Sequence, residues 1–224
     1  MKNCRTLLFA LLVLFVVEAR AASWTEGQDY YLITPAQATS VAAGKVEVLE
    51  VFSYGCPACN GFQPTLQLLK KSLPPNAQLA FLPAAFNAPE DWPMFQRAYF
   101  AAQALGIAER THQHVYDAVW QTGELATFVP GTNRLKSSIP SIEDAARLYA
   151  HWTGIKAEDF LAAAHSFGVD MKMRAADAQI SAMQVPSTPC IVVAGRYRVN
   201  SDAVRDPGRL IELVRYLVTR AGAH

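Results

Sequence analysis

Cysteine is scarce in this chain. There are four in 224 residues, and Cys4 precedes an apolar N-terminal run. That leaves Cys56, Cys59 and Cys190, an odd number and too few for a fold stapled by several disulfides. Histidine is scarce too, at five scattered residues. No second Cys-x-x-Cys and no Cys/His pair at ligand spacing is present; Cys190 with one of His112, His114, His151 or His165 could complete a four-ligand zinc site only by accident of folding, so no metal is expected. Charge is almost balanced: 20 Lys and Arg against 19 Asp and Glu, net +1. This gives no basic patch for nucleic acid and no acidic disordered tail. Internal repeats and low-complexity segments are also missing.

The first residues, Met1-Lys2-Asn3-Cys4-Arg5, are positively charged and are followed by the apolar run Thr6 to Val17. Ala19-Arg20-Ala21 then fits a small-x-small cleavage rule. Residues 1–21 read as a secretory signal peptide cleaved near Ala21, because the run is short for an ordinary membrane span. The competing reading is an uncleaved anchor. Cys4 lies before the run rather than at its end, which does not suit a lipid-bearing cysteine. Export implies an oxidising compartment, where disulfides persist. Scarce cysteine in such a compartment points away from stapling and toward chemistry.

The mature chain, from about Ala22, suffices for one core with an insertion. Residues 46–54, VEVLEVFSY, are almost continuously apolar and β-branched or aromatic, the pattern of a strand buried on both faces. A helix follows, with Pro57 just inside its start and Phe62, Leu66, Leu69 and Leu73 at helical spacing. Residues 78–86 read as a second strand, which implies a parallel pair with a right-handed crossover. From Pro93 to about Ala182 the pattern is helical, interrupted by a loop-like gap over 124–141. Ser141 and Asp144 form a variant capping box, and Met171, Met173 and the neighbouring aromatics read as core. Residues 189–199 read as a hairpin turning at Ala194-Gly195. A closing helix carries Leu210, Leu213, Val214 and Leu217 on one face. The expected fold class is α/β, with a βαβ half (22–90), a helical insertion (91–183) and a ββα half (184–224).

The segment FSYGCPACNGF, residues 52–62, holds the chemistry. Its cysteine pair could be a metal half-site, a structural staple or a disulfide made and broken in reaction. A bridge closing so short a loop stabilises little. Cys56 stands where a strand ends and a helix begins. The free N–H groups and partial positive charge there favour a thiolate and depress its pKa. Cys59 lies one turn on, on the same face. In such a pair the first cysteine is the exposed nucleophile, and the second is more buried and resolves the mixed disulfide. Pro57 fits the first turn without disturbing it.

Glu50 is a carboxylate in the middle of the buried strand, sharing a face with Val48 and Phe52. It either pairs with a lysine or reaches solvent, or it stays buried beneath the cysteines and exchanges a proton with Cys59. Glu47, nearer the strand start, is expected to reach water. Pro189 directly precedes a strand, an acceptable place for proline. A cis Thr188–Pro189 bond would bring that loop against the cysteine face and leave Thr188 backbone groups free to pair with an extended peptide. Cys190 reads as a small buried apolar residue, or as a thiol able to bridge to Cys56 if the two lie within disulfide distance.

FSYGCPAC after a strand, a helical insertion, and TPCIVVAGRY before a final helix together resemble the thioredoxin superfamily and, more narrowly, the periplasmic dithiol oxidases of the DsbA family. EGQDYYLI (26–33) and SFGVDMKMRAADAQ (166–179) extend the likeness over nearly the whole mature chain. The resemblance implies a thioredoxin-like fold with an inserted helical domain. It implies Cys56 as nucleophile, Cys59 as resolving thiol, Glu50 as buried acid, Pro189 as a cis-proline and Thr188 as its substrate-facing neighbour. It implies a strongly oxidising pair with no cofactor beyond the Cys56–Cys59 disulfide. It also implies a periplasmic monomer acting on folding exported proteins with free thiols and reoxidised by a DsbB-like membrane protein. Two other readings stand beside the oxidase: a disulfide isomerase or reductase on the same fold, and a peptide-binding chaperone. The chain departs from the family's best-known Pro-His dipeptide with Pro57-Ala58. Ala58 offers no imidazole to the Cys56 thiolate, so a less depressed pKa and a less oxidising pair are expected. Thr188 stands where some members carry valine.

Overall fold

A computed structural model describes residues 23–222; the expected signal peptide lies outside the described residues. Five strands form one sheet: β1 (Tyr30–Leu32), β2 (Val46–Phe52), β3 (Ala77–Pro83), β4 (Cys190–Val193) and β5 (Tyr197–Val199). Their spatial order is β1-β5-β4-β2-β3. β2 and β3 are parallel and joined by helix α1 (Pro57–Ser72), while the β2–β4, β4–β5 and β1–β5 pairs are antiparallel. β2 is therefore central. A strand paired on both sides and covered on both faces has no solvent side, which is why its sequence is almost continuously apolar.

Alternation along β2 divides the core. Val48 packs with Phe62, Leu66 and Leu69 of α1 and with Leu210, Leu213, Val214 and Leu217 of α7 (Pro207–Gly222). Leu49 and Val51 belong to the opposite face, with Val192 of β4 and Leu82 of β3. That second cluster continues into the helices between β3 and β4: α2 (Trp92–Ala104), α3 (Ala108–Trp120), α4 (Ile142–Thr153), α5 (Ala157–Ala164) and α6 (Phe167–Ala182). Phe95 and Ala98 of α2, Val115 and Tyr116 of α3, Tyr149 of α4 and Ile180 of α6 are all buried within it.

Local chemistry fixes several boundaries. α4 opens on the expected capping box, in which Ser141 and Asp144 satisfy each other's backbone N–H. The second helical run is broken at Ser166, whose hydroxyl accepts from Val169 N and starts α6. The hairpin turns at Ala194 (φ 55°) and Gly195 (φ 61°), with Arg196 N donating to Val193 O at 3.0 Å. Two successive positive φ angles suit a tight hairpin, and a Cβ at Gly195 would meet the Gln37 carbonyl oxygen.

Some expectations are corrected. β2 ends at Phe52 rather than at residue 54, and β3 spans Ala77–Pro83 rather than 78–86. The parallel ladder gives out where Cys56 N turns back to Ser53 O. Glu47 does not reach water: it is 1 % exposed, and its Oε2 accepts from Ser40 N (2.7 Å) and Ser40 Oγ (2.8 Å). Met171 is not core but 46 % exposed, and Phe167, one turn before it, is 74 % exposed. The buried stripe of α6 is Val169, Ala176 and Ile180, with Met173 packed against it. The short β1, at the sheet edge, carries no periodicity that a sequence reading could use.

Candidate functional site

The end of central strand β2 delivers residues 53–56 to the start of α1. Cys56 is the N-cap of that helix, with an extended backbone (φ −86°, ψ 116°) and Pro57 in the first turn. Cys59 N donates to Cys56 Sγ at 3.3 Å. From the other side, the Cys56 thiol donates to Thr188 O at 3.5 Å. The Thr188–Pro189 peptide is cis. The chain thus brings Cys56, Cys59, Thr188 and Pro189 to one point, and the three cysteines among the described residues, Cys56, Cys59 and Cys190, are free thiols.

Cys56 is less exposed than expected. It retains only 5 % exposure and Cys59 none, while Pro57 and Ala58 between them are exposed. The Thr188 loop covers one side. On the other, Trp92 packs so closely on Gly55 that a Cβ there would lie 2.8 Å from its Nε1. Trp120 Nε1 donates to Tyr54 O at 2.8 Å and ties the same turn to α3.

The two thiols are driven apart. Cys56 is lowered from the ordinary thiol range to about 6, first by the hydrogen bond from Cys59. Burial opposes this, and the Thr188 side chain and the backbone N–H groups of Cys59 and Ala58 add to the lowering. Cys59 is pushed well above the ordinary range by burial, then by Cys56 and by the charge of Glu50. One member of the pair is therefore a thiolate at neutral pH and the other a thiol, the division that thiol–disulfide exchange requires. Cys190 opens β4 opposite Val51 and is buried. Burial raises its thiol to about 12, so it stays protonated and unreactive.

Glu50 is completely buried, opposite Phe81 on β3 and Ile191 on β4. Neither of its oxygens has a hydrogen-bond partner among the described residues. Burial, and secondarily Cys56, raises its carboxyl to about 8. The paired-with-lysine alternative is not met. Two positions further along β2, Phe52 gathers a group that the sequence did not assign to the site: Tyr54, Tyr99, His112 and Tyr116. Trp92, Trp120 and Gly55 were also missed. A glycine directly before a thiol at a strand–helix junction is a signal of close approach; the tryptophans give none. Among the described residues no group of three or more His, Cys, Asp and Glu could hold a metal ion. None of their helices is long and apolar enough to cross a membrane. A groove of about 620 Å³ runs beside Pro57, lined by Trp120, Phe128, Val129 and Pro130.

No protein-family model matches the chain. Individual proteins do. The crystal structure of the oxidoreductase DsbA from Xylella fastidiosa superposes with a TM-score of 0.75 at 30 % identity, covering 89 % of this chain and 98 % of that one. The thiol:disulfide interchange protein DsbA of Pseudomonas aeruginosa is 28 % identical over 218 residues, 97 % of this chain and 95 % of its own. A Proteus mirabilis DsbA holding the non-covalently bound peptide PWATCDS shares the fold, with a TM-score of 0.66 at 23 % identity.

Proposed function

The chain belongs to the DsbA family of thiol:disulfide oxidoreductases, and on that premise we propose that it introduces disulfides into folding exported proteins through the Cys56–Cys59 pair. A substrate thiolate attacks Cys56 Sγ of the oxidised chain, and the Cys56–Cys59 bond breaks. Cys59 leaves as a thiolate and takes a proton from Glu50. A second substrate thiolate then attacks the substrate sulfur of the mixed disulfide, and Cys56 leaves as a thiolate. The substrate has lost two electrons and the enzyme disulfide has gained them. Thr188 and Pro189 bound the place where the substrate backbone would lie. Residues 22–90 and 184–224 serve as the two halves of the redox unit, with 91–183 as its inserted helical domain.

The carrying observation is the split between the two thiols. With the Cys56 pKa at about 6, about nine-tenths of it is thiolate at pH 7. Relative to an ordinary thiol at that pH, this favours the reduced form by about 1.4 kcal/mol, or about 30 mV for a two-electron couple. The pair is thus biased toward accepting electrons. Reoxidation falls to a DsbB-like membrane partner, the working form is a periplasmic monomer, and no cofactor beyond the disulfide is needed.

The test is to mix the oxidised mature chain with a reduced, unfolded two-cysteine protein and follow substrate disulfide and enzyme thiol together. Stoichiometric transfer, abolished by Cys56→Ser, is expected. Peptide holding that survives Cys56→Ser without any transfer would instead identify a chaperone. An equilibrium potential near about −270 mV, the thioredoxin value, rather than toward about −120 mV, would identify a reductant.

A further inference from the structure

Three arginines among the described residues are half-buried: Arg97, Arg198 and Arg220. Two of them have their N–H groups engaged. Arg97 donates to Asp170 Oδ1 at 2.8 Å and to Ala164 O at 2.6 Å. Arg220 donates to Tyr30 Oη at 2.6 Å and to Tyr216 Oη at 3.2 Å. The Arg198 guanidinium donates to nothing among the described residues, and no acid there pairs with it. A guanidinium carries five N–H donors, and drawing them from water without a partner is costly. An unspent cation in this position calls for a physical reason.

The fold holds that side chain in place. Arg198 is the middle residue of β5, opposite Tyr31 on β1 and Val192 on β4. Its guanidinium carbon lies 4.7 Å from the centre of the Tyr31 ring. Stacking on an aromatic face fixes the plane of the cation and leaves its N–H edge free. Arg198 lines a recess of about 350 Å³ with Tyr31, Ser187, Pro189, Cys190 and Asn200, and no acidic residue lines it. Burial raises the Cys190 thiol and the charge of Arg198 opposes it, so the cation is felt at the recess wall. Asp29, the residue before β1, is already taken by Arg209. The Asn200 carboxamide is committed too, donating to Gln28 O at 2.6 Å and accepting from Asp202 N at 3.3 Å.

The recess borders the place where substrate would lie. Ser187 and Pro189 line it, and the carbonyl of Thr188 between them accepts from the Cys56 thiol. A substrate strand laid along the Thr188 backbone, with its cysteine at Cys56, passes its neighbouring side chains over this opening. We propose that the recess is a specificity pocket in which Arg198 takes the carboxylate of an aspartate or glutamate within two residues of the substrate's reacting cysteine. The inference rests on the oxidase reading and deepens it by naming a substrate class. The planar fork of a guanidinium meets a carboxylate with two parallel N–H···O bonds. The donors that Arg198 leaves unspent are those such a pair uses. A substrate lysine at the same place meets an unpaired like charge, so the pocket rejects as well as selects.

The test uses the oxidised mature chain and short reduced peptides, each acetylated, amidated and carrying one cysteine. Aspartate, asparagine or lysine stands at one of the two positions before or after that cysteine. The initial rate at which each peptide opens the Cys56–Cys59 disulfide is read by acid quench, alkylation and mass spectrometry. A charge beside a thiol changes the thiol's own reactivity, so the quantity compared is the Asp-to-Asn rate ratio within each protein. At one position or more this ratio should be roughly 5- to 10-fold higher in wild type than in Arg198→Met, which keeps the stem and loses the charge. The Lys-to-Asn ratio should move the other way. Arg198→Lys keeps the charge and loses the fork, so its Asp-to-Asn ratio should fall below that of wild type; it carries the comparison if Arg198→Met does not fold. Equal Asp-to-Asn ratios in wild type and the variants would overturn the pocket and leave the oxidase reading standing. If no peptide opens the disulfide of wild type, the oxidase reading falls and the pocket with it.

Discussion

Replacing Glu50 by glutamine should make the reduced protein's stability less dependent on pH. Its carboxyl is raised from 4.5 to about 8. Below pH 4.5 the group is protonated in both folded and unfolded chains and has no linkage effect. Between pH 4.5 and about 8 the unfolded chain has released the proton and the folded chain retains it. The folded state then binds more protons, so stability falls as pH rises, by about 1.4 kcal/mol per pH unit. The accumulated penalty is about 3 kcal/mol at pH 7 and about 4 kcal/mol at pH 8, and it levels off at about 5 kcal/mol near pH 9. This is a large share of the 5–15 kcal/mol that holds a typical domain together.

Glutamine keeps the shape and does not titrate. Its buried amide adds an offset that does not vary with pH, so the slope rather than the absolute stability is diagnostic. Cys56 works in the opposite direction. Its thiol is lowered to about 6, so it contributes stability that is present above the ordinary thiol pKa and lost as pH falls toward 6. That contribution is common to both proteins and largely cancels between them. The assay is urea unfolding of wild type and Glu50→Gln with thiols kept reduced, from pH 4 to 8.5. Stability of the wild type relative to the variant should decline by about 3 kcal/mol between pH 4.5 and 7 at unchanged m. A flat difference curve would refute the claim that Glu50 is held neutral in the folded chain.

Two further outcomes follow from the thiols. Ala58→His should lower the Cys56 pKa below about 6 and raise the equilibrium potential, by about 30 mV for each unit at pH 7; ultraviolet titration of the thiolate and a glutathione equilibrium check both, and no change in either would sink the reasoning. Cys190→Ala should leave dithiol oxidation unchanged, because its buried thiol is raised to about 12. In wild type, Cys190 should be alkylated only after unfolding, and rapid labelling of the native protein would contradict this.

The sequence was readable where one local rule sufficed. The run through Val51 announced a two-faced strand, the Leu210 to Leu217 spacing announced the closing helix, and the Ser141–Asp144 box was met atom for atom. It was unreadable where tertiary placement decided. Glu47 looks like a strand-edge carboxylate, but the loop carrying Ser40 folds over it. Phe167 and Met171 are hydrophobic residues on a helix face that packs against nothing among the described residues, so composition alone assigned them wrongly to the core.

Glu50 and His112 show the same limit from two directions. A carboxylate inside an apolar strand violates its local pattern, and that violation made it visible as a candidate. His112 violates nothing. On α3 it keeps helical step with Val115, Tyr116 and Val119, all buried, and an aromatic ring is unremarkable on such a face. The fold lays that face against Phe81, whose register partner on β2 is Glu50. A polar group at odds with its own element can be found from sequence. A polar group at ease in its element, such as a histidine whose ring lies on Phe81 and whose Nδ1 meets Tyr54 Oη, can be found only from the packing.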